Sequence, residues 1–212
     1  MDILKALNEN KVRVTFMEEV LGTASGDPEL HDTYIASKAP DALSREEEVA
    51  ALGVGDVIEK GMTVFPRLDD GTPYVWDYQF RGFIKEAIKN IKKHFPKSEC
   101  AKVKANKMTV DNAIFVNPRK IPIHFPENDH RVGDCQRPLR ASTAQGERIA
   151  IAHSETVPVG SYIDVSIVLC PELGKGIDAK EVLRECLDYG QLKGFGQWRN
   201  SGKGRFTWCW NE

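Results

Sequence analysis

Apolar positions along the chain fall into a helical spacing in two places and an alternating spacing in several others. Phe80, Phe83, Ile84, Ala87, Ile88 and Ile91 stand at i, i+3, i+4, i+7, i+8 and i+11, which predicts a helix over 78–93 with Asp77 as its cap. Arg81, Lys85, Lys89 and Lys92 lie off that stripe. Asp178 and Glu181 open a second helix. Val182, Leu183, Cys186 and Leu187 form its apolar face, and Gly190 is the expected stop.

β-branched and aromatic runs predict strands at 12–16, 62–67 and 205–210. Two short runs, 112–116 and 120–125, carry prolines that confine them to edges. Residues 148–152 and 162–169 read as the two strands of a hairpin joined through Pro158 and Gly160. Residues 22–61 are polar and glycine-containing, the pattern of an inserted arm or loop, with Ser44 and Glu47 capping a short helix near 45–52. Residues 95–146 read as a less regular subdomain. The mixed order, with few helices, predicts an α+β fold built on a βαββαβ core, in one domain over 1–212.

Hydrophobic residues make up 41% of the 212 and charged residues 28%, an ordinary globular composition. The formal net charge of −2 argues against a protein that coats nucleic acid indiscriminately. The charge is uneven, however: acids dominate 18–70, and basic residues gather at 81–107, 131–148 and 193–205. The five cysteines show no CxxC spacing, so reduced, buried thiols are expected. No signal-peptide pattern opens the chain and no run approaches the ~20 apolar residues of a membrane span, which together predict a cytoplasmic protein away from membranes.

The strongest motif lies near the C-terminus. Gly194-Phe195-Gly196, five residues, then Gly202-Lys203-Gly204 fits G-x-G-x5-G-x-G. Paired glycines allow close backbone approach, and exposed N–H groups can cradle a phosphate. Lys193, Arg199 and Lys203 add charge, and Trp198 offers a ring for a base. A simple glycine hairpin with solvated lysines is the competing reading. Upstream, Pro73, Tyr74 and Val75 lead into Phe80-Arg81-Gly82, where Arg81 and Lys85 meet a helix N-terminus suited to anions. There the competing reading makes Gly82 a helix-packing glycine. Arg137 and Arg140 mark a basic, small-residue segment running to Gly146.

Together these regions resemble the RAMP superfamily of CRISPR-associated RNA-binding proteins. The glycine-rich loop is similar to the family's loop between last helix and last strand, although Lys203 stands where the family prefers a hydrophobic residue. The 63–89 segment is similar to the "PYIPGSSLKG"-like stretch of CRISPR backbone subunits. Glu155, Val157, Pro158 and Gly160 fit a strand connection of the same family. The resemblance implies a ferredoxin-like, RRM-like core with a long arm after the first strand. It also implies RNA held at Arg81, Gly82, Lys85, Arg137, Arg140, Lys193, Gly194, Gly196, Trp198, Arg199, Gly202, Lys203 and Gly204. Single-stranded guide-type RNA, other CRISPR subunits or copies of the chain are the implied partners.

Three functions stay open at this point. One is a non-catalytic backbone-type subunit. Another is a phage or prophage protein with this fold that inhibits or mimics a CRISPR complex by protein contact. The last is a metal-independent endoribonuclease, since His31, Tyr34 and Lys38 at i, i+3 and i+7 resemble the catalytic trio of CRISPR-RNA processing enzymes. No metal-ligand spacing or cofactor motif is present, so no metal or cofactor is expected.

Overall fold

The computed structural model describes residues 3–25, 62–143 and 146–211. The short helix expected near 45–52 lies outside them. In chain order the elements are α1 (Ile3–Ala6), β1 (Asn8–Phe16), β2 (Val20–Leu21), β3 (Ala24–Ser25), β4 (Thr63–Val64) and β5 (Tyr74–Trp76). Next come α2 (Asp77–His94), α3 (Glu99–Lys102), α4 (Asn106–Ala113), β6 (Ile114–Asn117), β7 (Lys120–Pro122) and β8 (Gly133–Thr143). The last are β9 (Gly146–Val157), β10 (Tyr162–Leu169), α5 (Ala179–Lys193) and β11 (Phe206–Trp210).

The architecture is α+β. The main sheet has four antiparallel strands in the order β11-β1-β10-β6. Its strands and the two long helices follow one another as β1, α2, β6, β10, α5, β11. Alternation along β1 and β10 sends Val12, Val14, Phe16, Ile163, Val165, Ile167 and Leu169 to one face, where all are buried. The apolar stripes of α2 and α5 cover that face and complete the core. Each large side chain so buried contributes about 1.5–3 kcal/mol against exposure.

A second sheet orders β2-β9-β4-β3, with β8 paired to β9 beyond that path. β8 and β9 form a long antiparallel ribbon, registered from Gly133↔Thr156 to Thr143↔Gly146. Its base is tied down by β2, by the Thr63↔Ser154 pairing of β4, and by Glu155. Glu155 accepts hydrogen bonds from the Phe65 N–H and from Arg67. β5 and β7 pair as a small separate ribbon.

Several sequence expectations need correction. Strand 148–152 is part of β9 and pairs with β8, not with β10; β10 instead lies between β1 and β6. The first five residues of the expected connection 153–161 are themselves strand, because Gly22 and Val20 supply partners to Glu155 and Val157. Residues 112 and 113 end helix α4, and the strand begins only at Ile114. The strand expected over 62–67 shortens to two residues. Asp77 is the first helical residue, since β5 passes directly into α2 with the Trp76 N–H donating to Gln79 Oε1 at 2.9 Å.

Gly190 is not the stop of α5. A Cβ there would stand 2.3 Å from Phe206 Cζ and 2.6 Å from Phe83 Cζ, so the glycine lets α5 cross β11 and α2 closely. The helix runs on to Lys193 and ends at Gly194, whose φ is +79°. Only Cys100 and Cys186 of the five thiols are buried, their sulfurs 3.9 Å apart; Cys135 of β8 and Cys170, just past β10, are half-buried, and Cys209 of β11 is exposed. No described helix is long and apolar enough to cross a membrane.

Candidate nucleic-acid interface

The glycine loop closes on itself. A Cβ on Gly204 would meet Phe195 O at 1.9 Å, and one on Gly194 would meet Lys203 O at 2.6 Å. Phe195 N–H donates to Gly204 O and Gly204 N–H donates to Glu19 O, at 2.8 and 2.9 Å. The two glycine pairs therefore permit backbone to lie on backbone. Gly196 packs near Val20 and Leu21, whereas Gly202, at φ +84°, faces open space. Between the pairs, residues 199–201 form one 3-10 turn.

Phe195 fastens the loop to the core. Its ring lies 6.3 Å from Phe16, 6.0 Å from Phe80 and 6.3 Å from Phe83, centroid to centroid. The loop thus rests against the first half of α2, and Arg199 pairs with Glu86 on that helix at 2.8 Å. On the other side, Arg137 of β8 donates to Gln197 Oε1 at 2.9 Å and holds its guanidinium 5.4 Å from the Trp198 ring centroid. Trp198 is 38% exposed and adopts φ +52°, ψ +33°, a left-handed conformation that a bulky residue takes only when its surroundings impose it.

The glycine loop, with Lys193, Gly194, Gly196, Trp198, Arg199, Gly202, Lys203 and Gly204, therefore meets α2 through Arg199 and Glu86 and meets β8 through Arg137, while Arg81, Gly82 and Lys85 stand on α2, where Arg81 pairs with Asp77 and Lys85 with Asp111 of α4. Arg140 lies in β8. Gly82 is exposed and a Cβ on it would meet nothing within 4 Å among the described residues, which speaks against the helix-packing reading. Gly82→Ala is accordingly expected to raise stability by about 0.5–1 kcal/mol, read as a higher urea midpoint. A lowered midpoint would show that Gly82 does pack against something.

The electrostatics differ from the sequence expectation. Of the six predicted cations whose side chains are described, four are held by carboxylates: Arg81 by Asp77, Lys85 by Asp111, Arg199 by Glu86 and Lys203 by Glu19. The hydrogen bond that Lys203 donates to the Glu19 carboxylate raises the ammonium's pKa from its ordinary value. Lys193 reaches Asn200 at 3.4 Å. The first turn of α2 is not an open anion site, since the Asp77 carboxylate occupies it and the Asp77 N–H donates to Arg119 O. Sequence reasoning missed Glu19, Glu86 and Gln197, whose partners are remote along the chain.

His31, Tyr34 and Lys38 lie outside the described residues. Among the described residues no three His, Cys, Asp or Glu side chains are grouped to hold a metal ion.

No family model matches the chain, and no curated protein matches it. Among solved structures it is similar to a chain of the Type III-B Cmr-beta bound to cognate target RNA, seen by cryo-electron microscopy, with 10% identity and a TM-score of 0.48. The similarity covers 99% of this chain, which spans 60% of the length of that one.

Proposed function

We propose that this chain is a cytoplasmic, non-catalytic RNA-binding protein of the RAMP type, a backbone-like subunit of a CRISPR complex. In this reading the β1-α2-β6-β10-α5-β11 unit is a ferredoxin-like core, and its sheet order supports that assignment. A single strand of RNA crosses the glycine loop, the Gly82 face of α2 and the base of the β8–β9 ribbon. Its phosphates meet Arg199, Lys193 and Lys203, and a base stacks on Trp198.

The observation that carries the reading is the exposed Trp198, forced into a left-handed conformation and backed by Arg137 at the junction of three elements. A rigid ring with a cation behind it suits a nucleobase better than it suits solvent.

A second reading, protein contact by a phage-type RAMP fold acting on a CRISPR complex, is favoured by the four cations already neutralised within the chain. Binding of labelled single-stranded RNA across a salt series separates the two. Under the first reading log affinity falls linearly with log salt, by about 0.7 per phosphate contact. Trp198→Ala then loses about 1–3 kcal/mol of binding. Glu86→Gln releases Arg199, tightens binding and steepens the slope by about 0.7. No RNA affinity at low salt, with binding to an assembled RNA–protein complex retained, would select the second.

A further inference from the structure

Among the described residues, a dense run of positive charge lies away from the glycine loop. Residues 89–107 contain seven lysines and one acidic residue, Glu99, in a chain whose net charge is −2. These residues form the C-terminal end of α2, all of α3 and the start of α4. They fold into one compact lobe. Lys92 Nζ donates to Val103 O at 2.8 Å, which ties the end of α2 to the chain entering α4. Asp111 of α4 pairs with Lys85 two turns back along α2, so α4 runs antiparallel to α2 and Lys107 lies level with the last turns of that helix. Ala105, at φ +48°, makes the reversal between Lys104 and Lys107.

The carboxylates in and beside the lobe are already engaged. Glu99 pairs with Lys102. Glu185 of α5 accepts from the Glu99 and Cys100 N–H groups at 2.9 and 2.8 Å. Lys93, Lys97, Lys104 and Lys107 are exposed, and among the described residues none of them has a carboxylate partner.

The lobe is also continuous with the proposed interface. Gly82, Glu86, Lys89 and Lys93 fall at i, i+4, i+7 and i+11 and share one face of α2. Glu86 on that face is the residue that holds Arg199 of the glycine loop. From Gly82 to Lys93 the helix rises about 17 Å.

We infer that the lysine lobe of residues 89–107 is a second anchor for the phosphate backbone of an RNA strand that starts at the glycine loop and runs along this face of α2. The inference rests on the RNA-binding reading and adds a length to it. The charge suits a polyanion, and of the polyanions RNA fits better than a lipid surface. The apolar stripe of α2 is buried in the core, and the large apolar groups exposed on the lobe are Phe95, at 57%, and Met108, at 65%. Two isolated groups do not make the continuous apolar face with which a helix lies in a membrane. An exposed Phe95 ring does offer a base a stacking surface.

The test compares the full chain with the triple variant Lys93→Gln, Lys97→Gln, Lys104→Gln and with Trp198→Ala. Each binds labelled oligouridine of about 8 and about 24 nucleotides over a salt series. The triple variant is expected to bind the long strand roughly tenfold more weakly, with a salt slope lower by about 2, and the short strand as the unaltered chain does. Trp198→Ala should weaken both. A triple variant with unchanged slope and affinity on the long strand, beside a weakened Trp198→Ala, overturns the lobe and leaves the glycine-loop reading standing. If the unaltered chain binds neither strand but sediments with phosphatidylserine vesicles through these lysines, both readings fall. All three positions are exposed, so the unfolding midpoint of the triple variant should match that of the unaltered chain.

Discussion

Replacing Gly204 with alanine should lower the unfolding free energy by about 3–4 kcal/mol, read from the urea midpoint at constant m. Two penalties combine. The residue sits at φ +72°, where a side chain is strained, and the new Cβ would fall 1.9 Å from Phe195 O. The backbone has no room to retreat, because the Gly204 N–H is held by Glu19 O while its carbonyl holds the Phe195 N–H. Gly202→Ala is the control. It has a similar φ of +84° but open space around it, so its loss should stay near 1 kcal/mol. Equal losses in the two variants would mean that the glycine pairs do not close on each other.

Phe195→Ala is expected to lose about 3–5 kcal/mol and most of the RNA affinity together. The ring fills the space among Phe16, Phe80 and Phe83, and it is the apolar residue by which the loop is seated in the core. Without it the loop loses the support that sets Trp198 against Arg137. Trp198→Ala, by contrast, removes an exposed ring and should change stability by no more than about 0.5 kcal/mol while still weakening RNA binding. A Phe195→Ala protein that bound RNA as tightly as the unaltered chain would show that the loop's shape does not matter to the interface.

The parts legible in the sequence are those where one face is apolar. The α2 stripe from Phe80 to Ile91 coincides with the residues the core buries, and so do Val12, Val14 and Phe16 of β1. Of the β8–β9 ribbon only 148–152 was legible as strand; β8 was hidden because none of its positions from Gly133 to Pro138 is buried, so no apolar alternation marks a face. Helix α4 buries only Val110, too little to give a periodic signal. The glycine motif was visible, yet its reason was not. A ligand approaching the backbone and a backbone approaching itself require the same residue, and only the fold brings Phe195 and Glu19 to Gly204. The basic residues raise the same difficulty. Lys203 looks free in sequence because Glu19 is 184 positions away, whereas Lys93, Lys97, Lys104 and Lys107 look like an ordinary solvated helix end and have no carboxylate partner among the described residues.

β8 is the outer strand of its ribbon, and it carries Pro138 opposite Ile151, at an exposed position. Proline offers no amide hydrogen, so a neighbouring molecule that tried to zip along this rim would find a rung missing. Under the proposed function, copies lined up along an RNA would therefore not fuse through their ribbons into a fibre.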